Sequence, residues 1–191
     1  MLLRFLRCSV VVRRVVLYYV AHDLGPLEYA YIIAMGDLHI GDPLFNEKKF
    51  LDFRDWILKT PNTYIVLLGD VLNCAIKGSK SDFYGELMPV QQAKKYALQV
   101  LEPVAIKILG LVAGNHELRC WRETGNDPAE DIATALKVPY SPDGLLLNIK
   151  LGNYNNKKDC RLNYLLYMTH GYGGGRSKGS KTNVLDRTSA I

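Results

Sequence analysis

A chain of 191 residues is long enough for one domain with a substantial core. Hydrophobic residues at 48% and charged residues at 23% exclude a disordered, collagenous or disulfide-scaffold chain and leave a soluble globular one. The net charge of +5 belongs to the ends: residues 1–22 carry four arginines and no acid, residues 157–191 carry 7 bases against 2 acids, and residues 23–156 carry 13 bases against 17 acids.

The longest uncharged stretches near the start, residues 8–12 and 15–22, fall far short of the ~20 apolar residues a bilayer-spanning helix needs, so no membrane partner is expected. The opening lacks a signal-cleavage site and reads as a basic N-terminal extension over residues 1–28, of unknown role, either an extra strand or a poorly folding segment. The domain proper is expected over residues 29–191. Cys8, Cys74, Cys120 and Cys160 form no C-x-x-C pair, which predicts reduced thiols and a cytoplasmic setting.

Four apolar runs then read as strands covered on both faces: residues 29–35 (YAYIIAM), 64–68 (YIVLL), 104–113 (VAIKILGLVA) and 162–168 (LNYLLYM). Between the first two, residues 46–59 place Phe50, Phe53, Trp56 and Ile57 on one helical face. Residues 90–101 do the same with Ala93, Tyr96, Ala97 and Val100. Asp127-Pro128-Ala129-Glu130 supplies an N-cap, a proline at the first helical position and a glutamate three residues on, so a third helix runs from there to about Leu136. Residues 145–151 alternate like a strand, residues 153–158 make a polar turn, and residues 162–168 pair back as an antiparallel hairpin. The class is α/β, becoming more β-rich towards the end.

Ligand-type residues follow every apolar run: Gly36-Asp37-Leu38-His39, Gly69-Asp70, Gly114-Asn115-His116-Glu117 and Thr169-His170-Gly171. Alone, each is an ordinary turn. In open α/β sheets, however, sites form beyond the carboxyl ends of the strands, where these four exits would be able to converge. Three of the four histidines fall there, with the carboxylates of Asp37 and Asp70 and the amide oxygen of Asn115. Such mixed donors suit manganese, iron or zinc, and the lack of cysteine among them argues against a structural zinc site. Two ions ~3.5–4 Å apart clamp both oxygens of an in-line displacement, the chemistry of phosphoester hydrolysis.

The ordered set resembles the calcineurin-like metallophosphoesterases, whose pattern runs D-x-H, G-D-x-x, G-N-H-(E/D), H and G-H-x-H. Asp37-Leu38-His39, Gly69-Asp70-Val71-Leu72, Gly114-Asn115-His116-Glu117 and His170 match the first four blocks in order, over about residues 30–171. The resemblance implies a four-layer α/β/β/α sandwich with a mixed first sheet, and a dinuclear centre with metal-bound hydroxide as the nucleophile. Asp37 and His39 would hold one ion, Asn115 and His170 the other, and Asp70 would bridge them. Manganese is the first choice, with iron or zinc as alternatives. His116 would be the catalytic residue that meets the substrate phosphate, and Glu117 would orient its ring or cap the loop.

The fifth block, G-H-x-H, does not occur before Ile191, so the reading is of a sandwich incomplete at its C-terminus, with weakened metal binding and an exposed sheet edge. Ile40 after His39 and Val71-Leu72-Asn73 after Asp70 disfavour a protein phosphatase, while His39-Ile40-Gly41 resembles the opening of the family's DNA-repair exonucleases. A phosphomono- or phosphodiester is therefore the expected substrate, with DNA or RNA as candidates. Arg119 and Arg122 are candidate phosphate donors on a loop, and Arg176, Lys178 and Lys181 in the glycine-rich residues 171–181 are candidates to track a nucleic-acid backbone. The competing reading is a non-catalytic module of this fold that binds DNA or a replication or repair protein.

Overall fold

The computed structural model describes residues 9–12, 15–77, 84–153 and 160–171. The polar turn beyond Asn153, and Arg176, Lys178 and Lys181, lie outside the described residues.

Strands β1 (Ser9–Val12), β2 (Val15–Asp23), β3 (Tyr31–Met35), β4 (Thr63–Leu67), β5 (Ile108–Val112), β6 (Tyr140–Ser141), β7 (Leu145–Leu151) and β8 (Leu162–Met168) form two sheets. The first runs β3-β4-β5-β6 with every neighbour parallel. The second runs β1-β2-β7-β8, with β2 and β7 parallel and the two outer pairs antiparallel. Helices α1 (Glu47–Lys59), α2 (Val90–Leu101), α3 (Asn115–Thr124) and α4 (Pro128–Leu136) complete the order.

The period-two alternation of β4 builds two cores from one strand. Ile65 and Leu67 face the helices with Phe50, Ile57, Ala97, Val100 and Ile132. Tyr64, Val66 and Leu68 face the second sheet with Leu145, Leu147, Ile149 and Met168. Covered on both faces, the strand reads as a continuous apolar run. In β5 the register against β4 slips from Ile65–Ile108 to Val66–Gly110, leaving Leu109 as an extra residue. The slip turns Gly110 towards the second sheet, where a Cβ would lie 2.9 Å from a Leu145 methyl carbon. The missing side chain lets the sheets close there.

Several elements depart from the sequence reading. The first sheet is wholly parallel rather than mixed among the described residues. Residues 102–107 form a 3-10 helix, so the third apolar run enters its strand only at Ile108. Pro103 opens that helix, Ile106 is 89% exposed, and Lys107 Nζ donates to the Ile57 and Thr60 carbonyls at the end of α1. Residues 115–124, expected as a loop, are helix α3, which ends at Gly125 in the left-handed conformation (φ 72°). The N-terminal stretch, by contrast, supplies the extra strand that is one of its two expected alternatives: Val15–Asp23 is an inner strand of the second sheet, pairing with β7 from Tyr18–Leu145 to Asp23–Lys150. Among the described residues, helices cover one face of the first sheet only, and the outer face of the second carries the bonds of Asn148 to Tyr19 and Asn163.

Candidate metal centre

Because β3, β4 and β5 are parallel neighbours, their carboxyl ends open onto one edge. The first two exits are stitched together: Asp37 N donates to Gly69 O (3.1 Å), His39 N to Asp70 O (2.9 Å), Ile40 N to Val71 O (2.9 Å) and Asn73 N to Ile40 O (3.0 Å). Ile40, Val71 and Leu72 lie buried beneath, anchoring both loops in the core. This frame holds Asp37, His39 and Asp70 at φ of 55°, 50° and 49°, a left-handed conformation that non-glycine residues rarely adopt and that concentrates at functional sites. At the third exit, space is decisive. A Cβ on Gly69 would sit 2.4 Å from Gly114 N, and one on Gly114 would sit 2.1 Å from Asp70 Oδ1.

Asp70, 2% exposed, is the centre of the cluster. Its Oδ2 lies 3.3 Å from His170 Nε2 and 3.8 Å from both His39 Nε2 and His116 Nε2, while Oδ1 accepts a bond from His116 N at 2.9 Å. Asp37 Oδ1 is 3.8 Å from His39 Nε2, and Asn115 Oδ1 is 3.0 Å from His170 Nε2. Two sets of ligand atoms, each within 4.8 Å, share Asp70: one adds His39 and His116, the other Asp37 and His170. All five residues expected as ligands, and His116, are thus brought to one place.

Their backbone partners aim them. His170 Nδ1 lies 2.7 Å from the Leu68 carbonyl, which can only accept, so Nδ1 carries a proton and Nε2 is the atom turned to the cluster. There it faces Asn115 Oδ1 and Asp70 Oδ2. The converging oxygen and imidazole donor set fits manganese, iron or zinc. His116 Nδ1 likewise donates to the Asn73 carbonyl. Burial holds the His116 pKa below the ordinary histidine value; Arg119 and His39 add to this, against the Asn73 bond and the Asp70 charge.

Glu117, fully buried, caps the loop by hydrogen bonds to backbone N–H groups and, among the described residues, makes none to an imidazole. Its carboxylate accepts Asp70 N (3.0 Å), Gly114 N (2.9 Å) and Leu72 N (2.9 Å), tying the second exit to the third. Burial pushes this carboxyl up to about 7, the Asp70 charge acting the same way and the N–H bonds opposing. Arg119 turns inward, its Nη2 donating to the Asn73 and Cys74 carbonyls. Arg122 does not join the cluster. It lines a separate cleft with Tyr18, Trp121 and Lys137, bounded by β2 and α4. The contributions missing from the sequence reading, the Leu68 and Asn73 carbonyls, belong to the backbone and leave no side-chain signature.

A wholly parallel first sheet delivering carboxylate, imidazole and amide donors to one edge defines a metal-binding α/β domain. The sequence matches the family model described as calcineurin-like phosphoesterase over residues 30–185, well over half of the chain, and the protein belongs to that family. Its members are hydrolases that act on phosphoester bonds with bound divalent metals. A search of curated proteins finds no match. Among the described residues, no helix is long and apolar enough to cross a membrane.

Proposed function

We propose that the protein hydrolyses phosphomono- or phosphodiesters at a dinuclear centre in which Asp70 is shared between two ions. The membership of Asp70 in both ligand sets carries this reading. The family resemblance gives Asp37 and His39 to one ion, Asn115 and His170 to the other, and His116 to the phosphate, whereas the ligand atoms as placed group His39 with His116 and Asp37 with His170. Bound there, divalent cations polarise a phosphoryl oxygen and acidify a coordinated water. Manganese is the favoured ion, with iron or zinc as alternatives for the same donors.

The chain's own residues supply the rest. His116 commits Nδ1 to Asn73 and leaves Nε2 free towards the cluster. The first turn of α3 directs the His116 N–H onto Asp70 Oδ1, and the positive end of the helix dipole favours that carboxylate's charge. Nucleic acid is the proposed phosphodiester, on the His39-Ile40-Gly41 opening. The free thiols of Cys74, Cys120 and Cys160 suit a cytoplasmic setting.

Hydrolysis of bis(p-nitrophenyl) phosphate with manganese, by wild type, Asp70→Asn and His116→Ala, tests the reading. A chelator and D70N are expected to abolish turnover, and H116A to lower it by about 10²–10⁴-fold. Equal rates in all three proteins would exclude this cluster as the source.

A further inference from the structure

We infer that Arg119 is a positioning residue for His116 and not a phosphate contact; the inference rests on the phosphoesterase reading above. Arg119 stands three residues after His116 on α3, so the two side chains share a helix face. Its Nη2 lies 3.0 Å from His116 Nδ1, 3.2 Å from the Asn73 carbonyl and 3.3 Å from the Cys74 carbonyl. His116 Nδ1 meets that same Asn73 carbonyl. A carbonyl oxygen has two lone pairs and no proton, so both nitrogens donate to it.

The Nη2–Nδ1 approach is therefore two donors sharing one acceptor and not a bond between them, and Arg119 acts on the ring only through the Asn73 carbonyl that it holds in place. That carbonyl sets the proton of His116 on Nδ1 and turns Nε2 towards Asp70 Oδ2, 3.8 Å away. Arg119 makes charge-assisted bonds to two carbonyls of the β4 exit loop. Cys74 is held there in the left-handed conformation at φ 47°, and its carbonyl is one of the two that Arg119 binds. Arg119 therefore ties the loop that orients the ring to the helix that carries it.

Two measurements test this on the full chain. In the metal-free protein with 15N-labelled histidine, a long-range 1H–15N spectrum is expected to show His116 protonated at Nδ1, and Arg119→Met is expected to move the population towards the Nε2-protonated tautomer. In manganese-dependent hydrolysis of bis(p-nitrophenyl) phosphate, R119M is expected to lower kcat by about 10–100-fold, the range of ligand-orienting partners, with KM unchanged. R119K should recover part of the loss, and R119M/H116A should be no slower than H116A. An Nε2-protonated His116 in the wild type overturns the inference even if R119M does not fold. A raised KM with kcat retained, persisting in the H116A background, overturns it in favour of a phosphate contact. Absence of any manganese-dependent hydrolysis by the wild type would sink the phosphoesterase reading instead, and the tautomer would still decide the role of Arg119.

Discussion

Glu117 shows how one side chain registers two loops. Three backbone N–H groups from two strand exits converge on its carboxylate, and no water-exposed route offers them another acceptor. Glu117→Gln replaces one acceptor oxygen with a donor, so at least one buried N–H loses its partner, at a cost of about 1–3 kcal/mol. The Asp70 and Gly114 backbones should also separate, and manganese affinity should fall. Urea unfolding and calorimetric manganese titration check both effects; wild-type values for E117Q would contradict this role. The candidate ligands were legible in the sequence, because Asp37, His39, Asp70, Asn115 and His170 each stand just beyond an apolar run. Their aiming was not, since it depends on carbonyls such as Leu68 and Asn73, which every residue type provides.

At the level of elements, the junction of β5 with α3 depends on a missing side chain. Gly114 has an ordinary extended backbone (φ -94°, ψ -179°), so any cost of substitution comes from space and not from its dihedral angles. Gly114→Ala would drive a methyl group against Asp70 Oδ1 and N. The expected result is a loss of about 1–3 kcal/mol together with manganese binding. Gly125→Ala is the control at the other end of α3: φ is 72° and nothing lies within 4 Å, so about 1 kcal/mol should be lost with manganese affinity intact. Equal manganese affinity in G114A and G125A would refute the spatial argument. The same helix shows where reading from pattern stops. Helices α1, α2 and α4 announce themselves by apolar faces or by the Asp127 cap, which accepts Ala129 N and Glu130 N. In α3, Glu117 and Cys120 are the buried side chains, so no apolar stripe marks it. The polar character that hides the helix comes from the residues that build the site.

The two sheets meet through apolar packing and through polar contacts far apart in sequence, among them His22 Nε2 donating to the Leu109 carbonyl at 2.7 Å. Leu109 is the extra residue of the β5 slip, and His22 lies on β2, so this bond links a local irregularity to a strand 87 residues away. No local pattern reveals such a pair. Burial lowers the His22 pKa below its ordinary 6.5, with the Leu109 bond opposing. The folded protein therefore refuses a proton that the unfolded chain accepts once pH falls below about 6.5, and stability present above that pH is lost on acidification. The loss cannot exceed about 1.4 kcal/mol per pH unit for one group. Glu117, with its carboxyl raised by burial, tilts stability in the opposite direction over the same range, so the wild type alone does not isolate His22. His22→Gln keeps an N–H donor without a titrating group. Urea midpoints at pH 5.5 and 7.5 should fall further on acidification in the wild type than in H22Q, and identical shifts in the two proteins would remove His22 from the pH response of the inter-sheet contact.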